Sequence, residues 1–161
     1  ISYSNMAWLG LNGAVLDAEM YRMYKTQKLK MLTSRMCLER GIEEAVKEVM
    51  EVAAASADAV YVSIDIDVVD GSESPGTTAC VYQGIRAREF LRLMAALSQY
   101  DIVQGIDLCE VSPPIDPTGR TVHLAALGLL SILGPRLFET VDMDGGEAGA
   151  GEKKAYQGFS Y

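Results

Sequence analysis

Hydrophobic and polar residues in this chain follow two periods in turn. Short β-branched runs are separated by stretches with an apolar residue at every third or fourth position. The runs predict strands over Met6–Leu11, near Leu29–Thr33, over Ala59–Val68 and over Ile102–Cys109. Helical spacing predicts a short helix after Asp17 through Tyr24, then helices over Arg86–Leu97 and Thr121–Phe138. Another is expected over Glu39–Ala55, where Ile42, Val46, Val49 and Val52 recur among Glu and Lys. Strand and helix in alternation are the mark of βαβ units, so the pattern predicts an α/β fold: a three-layer parallel sheet with helices on both faces. The loop Asp70–Ile85 carries glycines, Pro75 and two threonines, as a shaped binding loop does.

Composition narrows this to one ordered unit. The 161 residues are 49% hydrophobic, enough for one domain with a sizeable core. Ordered structure is expected over 1–139. Residues 140–161 read as a flexible acidic, Gly-rich tail, because Asp142–Lys154 has almost nothing to bury. The net charge of −8, with no Lys/Arg-rich run to follow a phosphate backbone, argues against a nucleic-acid partner. No apolar stretch approaches the ~20 residues that span a bilayer. No membrane association is expected, and the protein reads as soluble and cytoplasmic. Cys37, Cys80 and Cys109 form no Cys-x-x-Cys pair and are expected as reduced, buried small hydrophobes.

Chemistry enters at Val60-Tyr61-Val62-Ser63-Ile64-Asp65-Ile66-Asp67-Val68-Val69-Asp70, a buried strand ending in carboxylates. If the strand continues to Val68, Ser63, Asp65 and Asp67 share a face, with neighbours roughly 7 Å apart. Like charges so close raise each other's pKa unless a cation compensates. Ligands of a parallel sheet sit beyond the carboxyl ends of its strands, and Glu110 closes the next strand on the same rim. Carboxylate oxygens suit Mn²⁺ or Mg²⁺. The plainer alternative is that strand-end Asp residues cap the turns that follow.

Two stretches carry a family likeness. Ser63-Ile64-Asp65-Ile66-Asp67-Val68-Val69-Asp70 with Ser74-Pro75-Gly76-Thr77 resembles a signature of the ureohydrolases: arginase, agmatinase and formimidoylglutamase. The look is nearest to agmatinase-like members. Gly105-Ile106-Asp107-Leu108-Cys109-Glu110-Val111-Ser112-Pro113-Pro114, then Asp116 and Gly119-Arg120-Thr121, resembles the family's closing segment. The likeness runs from about Met6 to Phe138 and implies the C-terminal part of an arginase-like domain. It implies a binuclear manganese site in which Asp65 bridges both ions and Asp67 binds one. It also implies that Glu110 pairs with the guanidinium or amidine of the substrate. The reaction implied is hydrolysis of a linear guanidino or amidine C–N bond by metal-bound hydroxide, releasing urea or an amide. Trimeric or hexameric assembly is implied in the same way. Asp70 and Asp107 read as carboxylates that orient loops and ligands.

The chain also departs from that family. Its Gly-Gly-Asp-His and Asp-Ala-His-x-Asp segments are absent, and the only histidine, His123, reads as an ordinary helix residue. The chain opens on Ile1, so either an initiator was removed or a longer protein was cut. Alone, it is expected to be inactive and to expose a sheet edge or an apolar face. One alternative is a truncated or degenerate relative with a structural role in assembly. Another is a phosphatase of the haloacid-dehalogenase type with Asp65 as nucleophile, since Asp65-Ile66-Asp67 follows a hydrophobic strand.

Overall fold

The computed structural model describes residues 1–13 and 18–137. The expected acidic tail lies outside the described residues.

Chain order is β1 (Ala7–Leu11), α1 (Ala18–Gln27), β2 (Lys30–Thr33), α2 (Ser34–Arg40), α3 (Ile42–Ala53), β3 (Val60–Asp65), α4 (Ala87–Ser98), β4 (Val103–Cys109) and α5 (Arg120–Leu137). Strand and helix therefore alternate broadly as the periodicity predicts, with two departures. The helix expected from Glu39 is split at Gly41, whose φ of 92° no helix accommodates. The Gly41 N–H donates to the Cys37 carbonyl and so ends α2, while its carbonyl accepts from Ala45 and so begins α3. The expected strand through Val68 stops at Asp65. Residues 66–68 wind into a 3-10 turn, because the Asp65 side chain accepts the backbone N–H of Asp67 and caps the turn.

Both strand pairings are parallel, β1 with β2 and β3 with β4. Among the described residues these are two separate two-stranded sheets rather than one. In the second, Ser63 lies opposite Asp107 and Asp65 opposite Cys109. Val60 and Ile64 point into the core, whereas Tyr61, Ser63 and Asp65 face outward. The core joins both sheets to the helices. Leu32 comes from β2, Ile42, Val46 and Met50 from α3, Phe90 and Met94 from α4, and Ile132 from α5. Nearly complete burial of side chains this large contributes about 1.5–3 kcal/mol each.

Of the three cysteines only Cys37 is buried, which corrects the expectation for Cys80 and Cys109: both are exposed thiols near the rim. Cys80 belongs to the open side of the 70–84 loop, and Cys109 ends β4 on its outward side.

Candidate metal and substrate site

The rim is built where β3 and β4 end. Asp65 is the last residue of β3, and Glu110 follows the last residue of β4. Register sets Asp65 opposite Cys109, so Glu110 emerges beside it. Glu110 has φ of 63°, in the left-handed region, which costs a residue with a side chain roughly 1–2 kcal/mol. Strain of this kind concentrates at sites that need a side chain aimed against its local preference.

Asp67 reaches the rim by another route than the one its spacing suggests. Lying in the 3-10 turn, it does not share the strand face of Ser63 and Asp65. Its carboxylate accepts from the Thr77 hydroxyl, and its carbonyl accepts from the Asn12 side chain at 2.8 Å. Thr77 is itself buried, at 2% exposure, and held from behind. The Gly76 N–H donates to the Thr121 hydroxyl at 2.7 Å, and the Gly76 carbonyl accepts from Ser112 at 2.7 Å. A Cβ on residue 76 would lie 2.7 Å from that hydroxyl and 2.9 Å from the Asp116 Cβ, so this close approach requires glycine. Asp116 completes the brace by accepting from the Thr118 hydroxyl at 2.5 Å and from the Thr121 N–H at 2.9 Å. These bonds, the Thr118 hydroxyl foremost, hold its carboxyl far below the usual carboxylate range.

The other acids divide by role. Asp70 accepts from the Ser72 hydroxyl and N–H and from the Gln83 N–H, which lowers its pKa and draws the two ends of the 70–84 loop together. Asp107 accepts from Tyr61 at 2.7 Å and Ser63 at 2.8 Å, and the Tyr61 bond leads in lowering its pKa. Asp65 moves the other way. Desolvation of its inner side comes first, and the charges of Asp67 and Glu110 add to it, so its carboxyl rises above the ordinary range although the Asp67 N–H pulls down. A carboxylate whose proton affinity is raised by burial and by neighbouring acids is one that a cation would also stabilise. Asp65 and Asp67 supply hard oxygen donors of the kind manganese or magnesium takes, and so fit part of a coordination set. Among the described residues no three His, Cys, Asp or Glu side chains close around a common point. Glu110 is exposed, and the Thr78 hydroxyl donates to it at 3.4 Å.

Residues 1–134 match the arginase family. This chain belongs to the arginase family. The formimidoylglutamase of Bacillus subtilis is 31% identical over 118 residues, 73% of this chain and 37% of that protein. The guanidinobutyrase of Pseudomonas aeruginosa is 30% identical over 125 residues, 78% of this chain and 38% of that protein. The solved arginase of Bacillus caldovelox shares the fold, with a TM-score of 0.78 over 86% of this chain and 46% of its own, at 24% identity. The arginase-family chain thus spans less than half the length of these relatives.

Membership answers the phosphatase alternative and agrees with the α/β parallel architecture. No described helix is long and apolar enough to cross a membrane. His123 lies exposed in the first turn of α5. Thr77, Thr121 and Asn12 were not legible as site residues, because a hydroxyl or amide that positions a carboxylate from afar leaves no spacing signal. The sole hint was Pro75-Gly76-Thr77 in a loop otherwise free of hydrophobic period.

Proposed function

We propose that this chain forms the metal-bearing part of a hydrolase that cleaves the C–N bond of a linear guanidino or amidine compound. Asp65 and Asp67 hold manganese, and Glu110 receives the planar cation of the substrate. The observation that carries this reading is that Asp65, Asp67 and Glu110 lie near one another at one rim, where burial first and then the charges of Asp67 and Glu110 raise the proton affinity of Asp65. The names of the relatives, formimidoylglutamase, guanidinobutyrase and arginase, support the substrate class.

When bound, the metal lowers the pKa of a coordinated water and supplies the nucleophile. The remaining work belongs to side chains. Thr77 fixes the rotation of the Asp67 carboxylate, and Asn12 fixes its backbone. Glu110 offers two oxygens to the fork of N–H donors on a guanidinium, a pairing stronger than one between neutral groups. Assembly as a trimer or hexamer and a cytoplasmic location belong to the same proposal.

In the complete protein, Asp65→Ala and Asp67→Ala should each abolish manganese-dependent release of urea or amide. Turnover unchanged in both would end the proposal. A second reading, a non-catalytic relative retained for assembly, is favoured by the two-carboxylate donor set among the described residues. It fails if this chain alone, loaded with Mn²⁺, turns over a guanidino substrate well above buffer.

A further inference from the structure

Of Asp65 and Asp67, only Asp65 is held by a strand ladder. It closes β3 in register with Cys109, whereas Asp67 lies in the turn beyond. A side chain on a turn keeps its rotamer freedom unless something outside the turn takes it up, and a ligand to a metal has to stay within about 0.5 Å of its place. The Thr77 hydroxyl engages one oxygen of the Asp67 carboxylate, Oδ1. Asp67 is therefore only as fixed as Thr77.

Thr77 is fixed from the segment that follows β4. The Gly76 N–H donates to the Thr121 hydroxyl at 2.7 Å, across 45 positions of the chain, and the Gly76 carbonyl accepts from the Ser112 N–H at 2.7 Å. Both peptide planes of Gly76 are thus pinned, and the second of them carries the nitrogen of Thr77. Thr is β-branched and stiff at χ1, so the direction of its hydroxyl follows from that of its backbone. No slack absorbs a change: a Cβ on residue 76 would lie 2.8 Å from the Thr121 Cβ and 2.9 Å from that of Asp116.

Thr121 is anchored in turn. It is wholly buried, its N–H donates to Asp116 Oδ2 at 2.9 Å, and its hydroxyl bonds the same carboxylate. A hydroxyl has one proton to give, so giving it to Asp116 turns the lone pairs toward the Gly76 N–H. Capping the first turn of α5 requires only the N–H of Thr121. The hydroxyl serves the loop instead.

We propose that Thr121 and Asp116 are positioning residues for the Asp67 carboxylate, acting through Gly76 and Thr77. With Oδ1 taken by Thr77, Oδ2 is the oxygen presented to a cation. Loss of the Thr121 hydroxyl frees Asp67 and leaves Asp65, which the ladder holds, in place. The consequence for manganese rests on the metal reading of these two acids; the positioning itself does not.

The test reads χ1 of both aspartates from three-bond Hα–Hβ couplings in the ¹³C,¹⁵N-labelled chain without metal. Asp67 should hold one rotamer, Thr121→Val should average its couplings, and Thr121→Ser, which keeps the hydroxyl, should leave them as they are. Asp65 should not change in either variant. Asp116→Asn keeps the shape but removes the charged acceptor, and should average Asp67 in the same sense, so the claim stays open to refutation if Thr121→Val fails to fold. Titration of Mn²⁺ into the same samples, followed by broadening at the rim, should show affinity lowered roughly tenfold in Thr121→Val. Thr77→Val should lower it at least as much, and adding Thr121→Val to it should lower it no further, because the two residues act in series. A merely structural Thr121 would lower stability and leave both the Asp67 couplings and the affinity of the folded chain unchanged. That result overturns the proposal, as do losses that add in full or an Asp67 already averaged in the unaltered chain. A rim that binds no manganese counts against the hydrolase reading alone, since the couplings decide the positioning without metal.

Discussion

The two strand pairs, which wall a cleft of about 540 Å³ between β1 and β3, make an instructive pair. The β3–β4 side ends in Asp65, Asp67 and Glu110, and a run of buried hydrogen bonds from Asp116 through Thr121 and Gly76 to Thr77 fixes the loop behind them. The β1–β2 side has the same strand direction and comparable burial, yet it ends in Gly10, Leu11, Asn12, Thr33 and Ser34, without a carboxylate. Its contribution to the rim is Asn12, which holds the backbone of Asp67. Similar βα architecture thus serves two ends: one wall carries charge that must be compensated, and the other carries shape.

Four changes should break or sharpen that contrast. The largest effect should come from the floor common to both walls. Phe90 is fully buried and in contact with Gly128 of α5, so Phe90→Ala should destabilise the chain by about 3–5 kcal/mol in urea unfolding. A loss below 1 kcal/mol would mean that the two sheets do not share this core. Next, Thr121→Val removes the acceptor of the buried Gly76 N–H and should cost about 1–3 kcal/mol. Unfolding midpoints with and without the change measure it, and a neutral result would detach the rim from its brace.

The third is a pH dependence with opposite signs at the two acids. The lowered pKa of Asp116 stabilises the fold fully above about pH 4, the unfolded value, and that stability is lost as the pH falls through its folded value. The raised pKa of Asp65 acts inversely. Between about pH 4 and its higher folded value the native state holds more protons, so stability falls as the pH rises through that window. Asp116→Asn should therefore flatten the acid limb of a stability–pH curve, and Asp65→Asn should remove the decline above it. Equal slopes in the two variants would refute the division of roles. The smallest effect belongs to the Arg92–Glu43 pair between α4 and α3, which is half exposed at 2.8 Å. Arg92→Ala should cost about 0–1 kcal/mol, since apolar contact joins the floor.

Much of this was legible from residue types alone. A β-branched run stopped by acids located β3 and Asp65, and the next such strand located Glu110. The rest depended on geometry that spacing does not encode. Gly41 broke a helix whose apolar spacing read as continuous, because the period records which face is buried and says nothing of φ. Asp67 left the strand face because the Asp65 carboxylate captured its N–H, a local bond that competes with the ladder. The expected single sheet is divided in two because no described strand pairs with the facing edges of β1 and β3. Cys80 and Cys109 read as buried apolar residues but stand in a loop and at a strand end whose outward sides are open.

The central claim, that metal is held at the β3–β4 rim, is tested most directly by titrating Mn²⁺ into the ¹⁵N-labelled chain and following paramagnetic broadening. Broadening confined to the neighbourhoods of Asp65, Asp67, Thr77 and Glu110, and lost in both Asp65→Asn and Asp67→Asn, is the expected result. Broadening centred elsewhere, or unchanged in those variants, would contradict the claim.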